Sequence, residues 1–381
     1  MKVVYFYPRF VSQAGTERIL IEKANYLAEQ YNYEIVLLTF QQGNHPFAFP
    51  LSDKVRKVDL DVPYDSMYRY NYVVRFWKWH QMDNILQERF DNFVHTFHPD
   101  IIISTTGFAI VTSVVVDCSF PVVRIAESHV DMRHQFEHST FNKRSYLRRV
   151  RVWNDMRTIQ KNIRYYNLLV ALNQEDAKDW SRFVRTEVIT NVVHLNSTGN
   201  VASLQSKRVI FAGRYVPQKG LLDLLKIWTL VYNKHPDWHL DLYGDGEQRG
   251  LLLDEATRIQ ANVHIHQSDS QIFNHYLESS IFVLTSLFEP FGLVLPEAMS
   301  CGLPVVAFNC PYGPSEIITN GIDGFLVENR DIKQFADCIC QLIESEPLRR
   351  QMGKAAIASS HRFSPEKVIP KWHILFESFF K

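Results

Sequence analysis

The feature that most constrains this chain is a beat that is played twice. Short runs of valine, isoleucine and other apolar residues alternate with longer segments of helical period. The runs are KVVYFY, YEIVLLTF, DIIIS and PVVRIA in the first half, then KRVIFAG, WHLDLYG, ANVHIH, SIFVLTS, LPVVAF and GFLV in the second. A strand that is apolar without alternation must be covered on both faces, which is the condition of a parallel sheet between layers of helices. Stretches such as Ile19 to Gln30 and Gly220 to His235 supply such helices. The expected fold class is therefore α/β, with two doubly wound parallel-sheet domains. A length of 381 residues agrees, because a single core stops growing below that size.

The boundary is expected at NSTGNVASLQS, which is polar, small and poor in large apolar residues. This places a first domain over 1–195, a linker over 196–204 and a second domain over 205–364. From Ser364 the chain reads SPEKVIPKWHILFESFF, a capped helix start with a kink expected at Pro370. Its aromatic face needs a surface to bury against. Spacing alone leaves either domain open, and residues 365–381 are assigned to the first.

Composition narrows the function. The 41 basic and 41 acidic residues balance, so nothing points to nucleic acid. Hydrophobic residues at 46% and charged residues at 22% indicate neither a disordered chain nor a membrane bundle. The opening apolar run is too short for an export signal, and Ile101 to Val116 is too short and too rich in Ser and Thr for a membrane span. The five cysteines, Cys118, Cys301, Cys310, Cys338 and Cys340, show no CxxC spacing and read as reduced core residues. A cytoplasmic protein is expected, with no resident metal.

Four segments of the second half carry chemistry in an order that would gather them at the carboxyl ends of parallel strands. In FAGRYVPQKG a strand ends at Gly213, Arg214 comes next, and Lys219 and Gly220 open the next helix; two cations at a helix start suit a diphosphate, although a solvated loop would read the same. LYGDGEQR places Gly244 and Gly246 around Asp245 in a turn. SLFEPFGLVLPEAMSCGLPVV holds Glu289 and Glu297, with Phe291, Gly292, Leu293 and Val294 between them. Pro296 suits the first turn of a helix that would carry Glu297, while Glu289 precedes it on a loop. Amides around Gly292 could then face a phosphate, and carboxylates could hold sugar hydroxyls. CPYGPSEIITNGIDGFLV adds Gly313, Glu316, Gly321 and Gly324 around a short helix.

These segments, in this order, resemble the retaining glycosyltransferases of family 4, which have the GT-B architecture of two Rossmann-like domains facing across a cleft. The likeness is dense over FAGRYVPQKG, LYGDGEQR, Glu289 to Glu297, EAMSCGLPVVAF and GPSEIITNGIDGFLV. It is thinner in the first half, over SQAGTERILIEKANYLA, VALNQEDAKDW and VITNVV. The resemblance implies that Arg214 and Lys219 contact a donor diphosphate, that Glu289 contacts the donor sugar and that Glu297 contacts the ribose. It also implies donor-binding places for Gly15, Gly213, Gly244, Phe291, Gly292, Leu293 and Val294. Two departures stand out: Ala14-Gly15 where paired glycines are usual, and His266, Gln267 and Ser268 where a glycine usually precedes the base-binding loop. RIAESHVD supplies His129, the candidate active-site histidine, with Glu127 beside it; an imidazole there could hydrogen-bond the sugar or share charge at the leaving phosphate.

The activity implied is retaining, metal-independent transfer of a hexose or N-acetylhexosamine. The donor would be a nucleotide-diphosphate sugar, UDP-linked by preference, acting as co-substrate with no cofactor. The acceptor would be a saccharide or lipid-linked saccharide, bound by the first domain, in assembly of cell-surface polysaccharide or glycoconjugate. The leaving phosphate would take the acceptor's proton, and no enzyme nucleophile is named. Asp59-x-Asp61 is read as a strand end and not as a metal motif. YDSMYRYNYVVRFWKWH and FNKRSYLRRVRVW mix cations with aromatics and admit peripheral contact at the inner face of a membrane, or equally a core-facing amphipathic helix. The alternatives are a nucleotide-sugar epimerase, a sugar-phosphate synthase, or a non-catalytic nucleotide-sugar sensor.

Overall fold

The computed structural model describes residues 1–12, 15–62, 64, 72–132 and 146–381, with the backbone alone for residues 72, 73, 75, 76 and 146–149. The first elements are β1 (Lys2–Phe6), α1 (Gly15–Gln30), β2 (Glu34–Thr39), β3 (Val55–Asp59), α2 (Tyr72–Phe97), β4 (Ile101–Thr105), α3 (Ala109–Asp117), β5 (Val123–Ser128), α4 (Tyr146–Asn162), β6 (Leu168–Ala171), α5 (Gln174–Trp180) and β7 (Thr186–Val188). Then come β8 (Arg208–Ala212), α6 (Leu221–Tyr232), β9 (His239–Tyr243), α7 (Arg249–Ile259), β10 (Val263–His266), α8 (Ile272–Leu277), β11 (Ile281–Leu284), α9 (Val294–Ser300), β12 (Val305–Phe308), α10 (Gly313–Ile317), β13 (Gly324–Val327), α11 (Ile332–Glu344), α12 (Glu346–Ser360) and α13 (Pro365–Glu377). The chain divides into two compact units, Met1–Val192 with Val368–Lys381, and Val193–Lys367.

The first unit holds a parallel sheet in the order β3-β2-β1-β4-β5-β6-β7. The alternation of side chains along β1 explains its unbroken apolar run. Val4 and Phe6 join a core with Leu86, Phe90 and Val94 of α2 and with Val111, Val114 and Val115 of α3. Val3 and Tyr5 join a second core with Leu20, Ala24 and Leu27 of α1. That second core also takes Val368, Ile369, Trp372 and Phe376, so the carboxy-terminal helix buries its apolar face in this unit. Helix α13 continues through Pro370. Among the described residues, no helix is long and apolar enough to cross a membrane.

The second unit repeats the plan with a parallel sheet in the order β10-β9-β8-β11-β12-β13. Both sheets are Rossmann-like and of the GT-B type. Residues 196–204, expected as a linker, lie on this unit. The Asn196 amide donates to Ser300 Oγ at 3.0 Å, the Ala202 amide to the Cys301 carbonyl at 2.8 Å, and the Leu204 carbonyl accepts from Arg349 Nη2 at 3.0 Å. Small polar residues concealed Ala202 and Leu204, which are buried.

Candidate functional site

In the second unit the strand order reverses between β8 and β11, and ligands of open parallel sheets bind beyond the carboxyl ends of the strands at such a point. The loop after β8 runs through Gly213 and the exposed Arg214 to a tight turn at Pro217–Lys219. Gly220 comes next with φ +61°, and a Cβ there would stand 2.2 Å from the Thr285 carbonyl. Only glycine lets the start of α6 approach the end of β11 so closely. Gly244, at the end of β9, is constrained likewise, since a Cβ would meet the Gly213 carbonyl at 1.9 Å. These two glycines bring three strand ends together.

The result is an ion pair. Lys219 Nζ lies 2.5 Å from Glu289 Oε2, and Ser286 Oγ donates to the same oxygen at 3.0 Å. Both partners are nearly buried, with side chains 10% exposed. Glu289 is fixed along its backbone as well, because its carbonyl accepts from the Gly313 amide at 2.7 Å and its residue bridges Tyr312. Glu297 is buried in the first turn of α9, which begins at Val294, two residues before Pro296. Gly292 and Leu293 precede that turn, their carbonyls accepting from the Leu295 and Glu297 amides. Phe291 is buried with its ring edge-on to Phe363 at 5.3 Å. Thus Lys219 and Glu289 touch, Gly213 lies beside Lys219, and Arg214 stands exposed on the same loop.

Two residues that the sequence motifs do not single out support this arrangement. One is Ser286. The other is Arg330, whose Nη2 donates to the Thr285 and Ser286 carbonyls at 2.9 and 2.7 Å and whose Nη1 reaches Asp223 Oδ2 at 2.9 Å. An arginine just past the GFLV strand was the only signal for it. In place of the usual base-loop glycine, the His266 carbonyl accepts from the Tyr215 hydroxyl at 2.7 Å and from Arg249 Nη1 at 3.1 Å, and the Ser268 amide donates to Asp245 at 3.0 Å. Burial pushes the Cys310 and Cys301 thiols up to about 12, with Glu289 and Glu297 respectively adding to the shift. Neither thiol is a nucleophile at neutral pH.

In the first unit the order reverses between β1 and β4. Gly15 opens α1 after the β1 loop, and Ala14 beside it lies outside the described residues, as do residues 65–71 of YDSMYRYNYVVRFWKWH and 141–145 of FNKRSYLRRVRVW. At the end of β5, His129 Nε2 lies 3.0 Å from Glu127 Oε2, and Glu127 Oε1 takes the ammonium of Lys23. Lys23 is fully buried, its Nζ 3.7 Å from the centre of the Trp372 ring. Burial pushes the Glu127 carboxyl up, but Lys23 and His129 outweigh it and hold the group below its ordinary range. His129 Nδ1 is buried with no hydrogen-bond partner among the described residues. Lys23 was legible only as a cation amid the apolar positions of ILIEKANYL. Asp59 spends its oxygens on Thr39 Oγ1 at 2.9 Å and the Gly43 amide at 2.8 Å.

Residues 197–359 match the model of the family described as glycosyl transferases group 1. Over 377 residues the chain is 27% identical to an uncharacterised glycosyltransferase of Haemophilus influenzae, covering 97% of this chain and 98% of that one. Over 181 residues it is 34% identical to the amylovoran biosynthesis glycosyltransferase AmsD of Erwinia amylovora, covering 47% of this chain and half (50%) of AmsD. In fold it is similar to S. aureus TarM, solved as a point mutant in complex with fondaparinux, alpha-GlcNAc-glycerol and UDP. That likeness has a TM-score of 0.75 at 15% identity, over 98% of this chain and 99% of TarM. The region 197–359, which carries Lys219, Glu289 and Glu297, is therefore of the glycosyl transferases group 1 type.

Proposed function

We propose that this protein is a retaining, metal-independent hexosyltransferase. In this reading it moves a hexose or N-acetylhexosamine from a nucleotide-diphosphate sugar, UDP-linked by preference, to a saccharide or lipid-linked saccharide acceptor. The observation that carries the reading is the Lys219–Glu289 pair at the switch point of the second sheet. Cleaving a sugar from a diphosphate leaves positive charge on the ring and negative charge on the departing phosphate, and a paired ammonium and carboxylate answer both. Lys219 and Arg214 would stabilise the diphosphate, with the amides at the start of α9. Glu289 would hold sugar hydroxyls, and Glu297 the ribose. In retention the acceptor attacks from the face that the nucleotide leaves, and the departing phosphate oxygen takes its proton. His129, whose Nδ1 has no hydrogen-bond partner among the described residues, is the first unit's candidate to hydrogen-bond the sugar or share charge at the phosphate.

The relatives favour this substrate class. AmsD is named for polysaccharide biosynthesis, and TarM was solved with UDP and alpha-GlcNAc-glycerol. We assign the protein to cell-surface polysaccharide or glycoconjugate assembly, at the cytoplasmic side, where a lipid-linked acceptor would be met at the membrane face. The test is calorimetric titration with UDP, GDP and ADP in a chelating buffer, on the wild type and on Glu297→Ala and Arg214→Ala, followed by product analysis with UDP-sugars. UDP should bind and both substitutions should weaken it. Absence of binding by all three nucleotides would overturn the reading.

A further inference from the structure

A second cluster of titratable groups lies on the β8–β9–β10 side of the second unit, away from Lys219 and Glu289. Alternate residues of a strand share a face, and the register sets Arg208 beside His239, Asp241 beside His264, and Tyr243 beside His266. Asp241 is buried at 3% exposure in the middle of its strand. Its Oδ1 lies 2.9 Å from His264 Nδ1 and 3.0 Å from His266 Nε2, and its Oδ2 lies 3.6 Å from His239 Nε2 and accepts the guanidinium of Arg208. Candidate ligand atoms of His239, Asp241 and His264 all fall within 4.8 Å of one another.

A buried carboxylate requires compensation, but three imidazoles are more than that purpose needs. Arg208 does not fully supply it either, since its Nη1 is shared with Glu278 at 2.9 Å, so that one positive charge serves two carboxylates. We propose that His239, Asp241 and His264 form a binding site for a divalent transition ion of the zinc, cobalt or nickel class. Two imidazole nitrogens and a carboxylate oxygen are the donor set that such ions prefer over calcium or magnesium. Such ions, held at about 2.0–2.2 Å, favour a tetrahedral set, and the partly exposed His239 and His264 rings have room to turn toward one. The ion takes the place of the hydrogen bond between His264 Nδ1 and Oδ1, while Arg208 keeps Oδ2. Its role is to tie the edge strand β10 to β9, and it takes no part in sugar transfer.

The experiment uses tag-free full-length protein, dialysed against chelator and then freed of it. Zinc is titrated calorimetrically, and cobalt is followed by its visible absorption, on the wild type, His264→Ala, His239→Ala and a control, His235→Ala. The wild type and the control should bind one ion at micromolar concentration, with a cobalt spectrum of tetrahedral intensity and a raised melting temperature. Each ligand substitution should weaken binding by roughly tenfold or more. His264 is half exposed, so its removal leaves the fold intact, which circular dichroism checks. No binding below millimolar zinc, or binding that His264→Ala and His239→Ala leave unchanged, would overturn the proposal.

Discussion

Each unit contains a lysine–glutamate pair at the carboxyl end of its sheet, and the two differ in what surrounds them. In both, the lysine comes from the segment after the first strand of the sheet and the glutamate from across the point where strand order reverses. Lys23 and Glu127 are sealed, with side chains 1% and 4% exposed; α13 lays Trp372 over the ammonium, and His129 occupies the second carboxylate oxygen. Lys219 and Glu289 are each 10% exposed, and their donors converge on a single carboxylate oxygen. The same two residue types therefore serve different ends. The sealed pair orients an imidazole, and the pair at the loop ends can exchange partners with a ligand.

The largest expected effect is on stability and belongs to the sealed pair. Lys23→Ala leaves Glu127 buried without its cation, and such a loss costs about 3–5 kcal/mol. Urea unfolding followed by tryptophan fluorescence should show it. Replacing both partners, Lys23→Met with Glu127→Leu, should recover most of the loss, since well-packed apolar substitutes for a buried pair are often neutral or better. A Lys23→Ala variant as stable as the wild type would mean that the two pairs are not different in kind.

Next in size is the effect of Lys219→Ala on ligand affinity. A charge-assisted hydrogen bond to a phosphate is worth about 1.5–3 kcal/mol, or roughly 10- to 100-fold in the UDP dissociation constant. The loss of stability should be smaller than for Lys23→Ala. If stability falls and affinity does not, Lys219 is a second structural lysine and the comparison fails.

The pH dependence tests the sealed pair in a second way. Glu127 is held below its ordinary value of 4.5 because Lys23 and His129 outweigh its burial. A depressed carboxyl binds fewer protons when folded than when unfolded, so its contribution is complete above about pH 4.5 and is lost as the pH falls through the folded value. The melting temperature should therefore drop with acidification below that point, and the Glu127→Gln variant should show a flatter profile there.

How much of this was legible depended on whether a residue's role is local. Central strands such as β1, β4, β11 and β12 follow from apolar runs that both faces cover, whereas the edge strands β3 (VRKVD) and β7 (TEV) carry no such run and are not legible that way. The glycines at 220 and 244 were legible as turns, but the reason for them is a carbonyl from another strand, which no local pattern records. Lys219 and Glu289 were picked out by motif, and their direct pairing is a product of strand order. Lys23 was passed over because its meaning depends on Glu127, 104 residues away, and on Trp372 from the far end of the chain. Residues 196–204 misled in the opposite direction, since small polar residues that usually mark a linker here accompany two buried apolar anchors.

The smallest effect is the sharpest test of how the second pair works. Ser286 donates to the same Glu289 oxygen as Lys219, so it neither meets a phosphate in the proposed reaction nor carries charge; it can act only by holding the carboxylate. Removing one neutral hydrogen bond costs about 0.5–1.5 kcal/mol, so Ser286→Ala should lower kcat/KM for the UDP-sugar by roughly 2- to 10-fold. Because Glu289 is assigned to the sugar and Lys219 to the diphosphate, the loss should fall on the UDP-sugar and leave the affinity for UDP alone nearly unchanged. Ser286→Thr, which keeps the hydroxyl, should restore most of the rate. If Ser286→Ala instead weakens UDP as much as Lys219→Ala does, the carboxylate and the ammonium act as one unit, and the division of labour between sugar and diphosphate has to be redrawn.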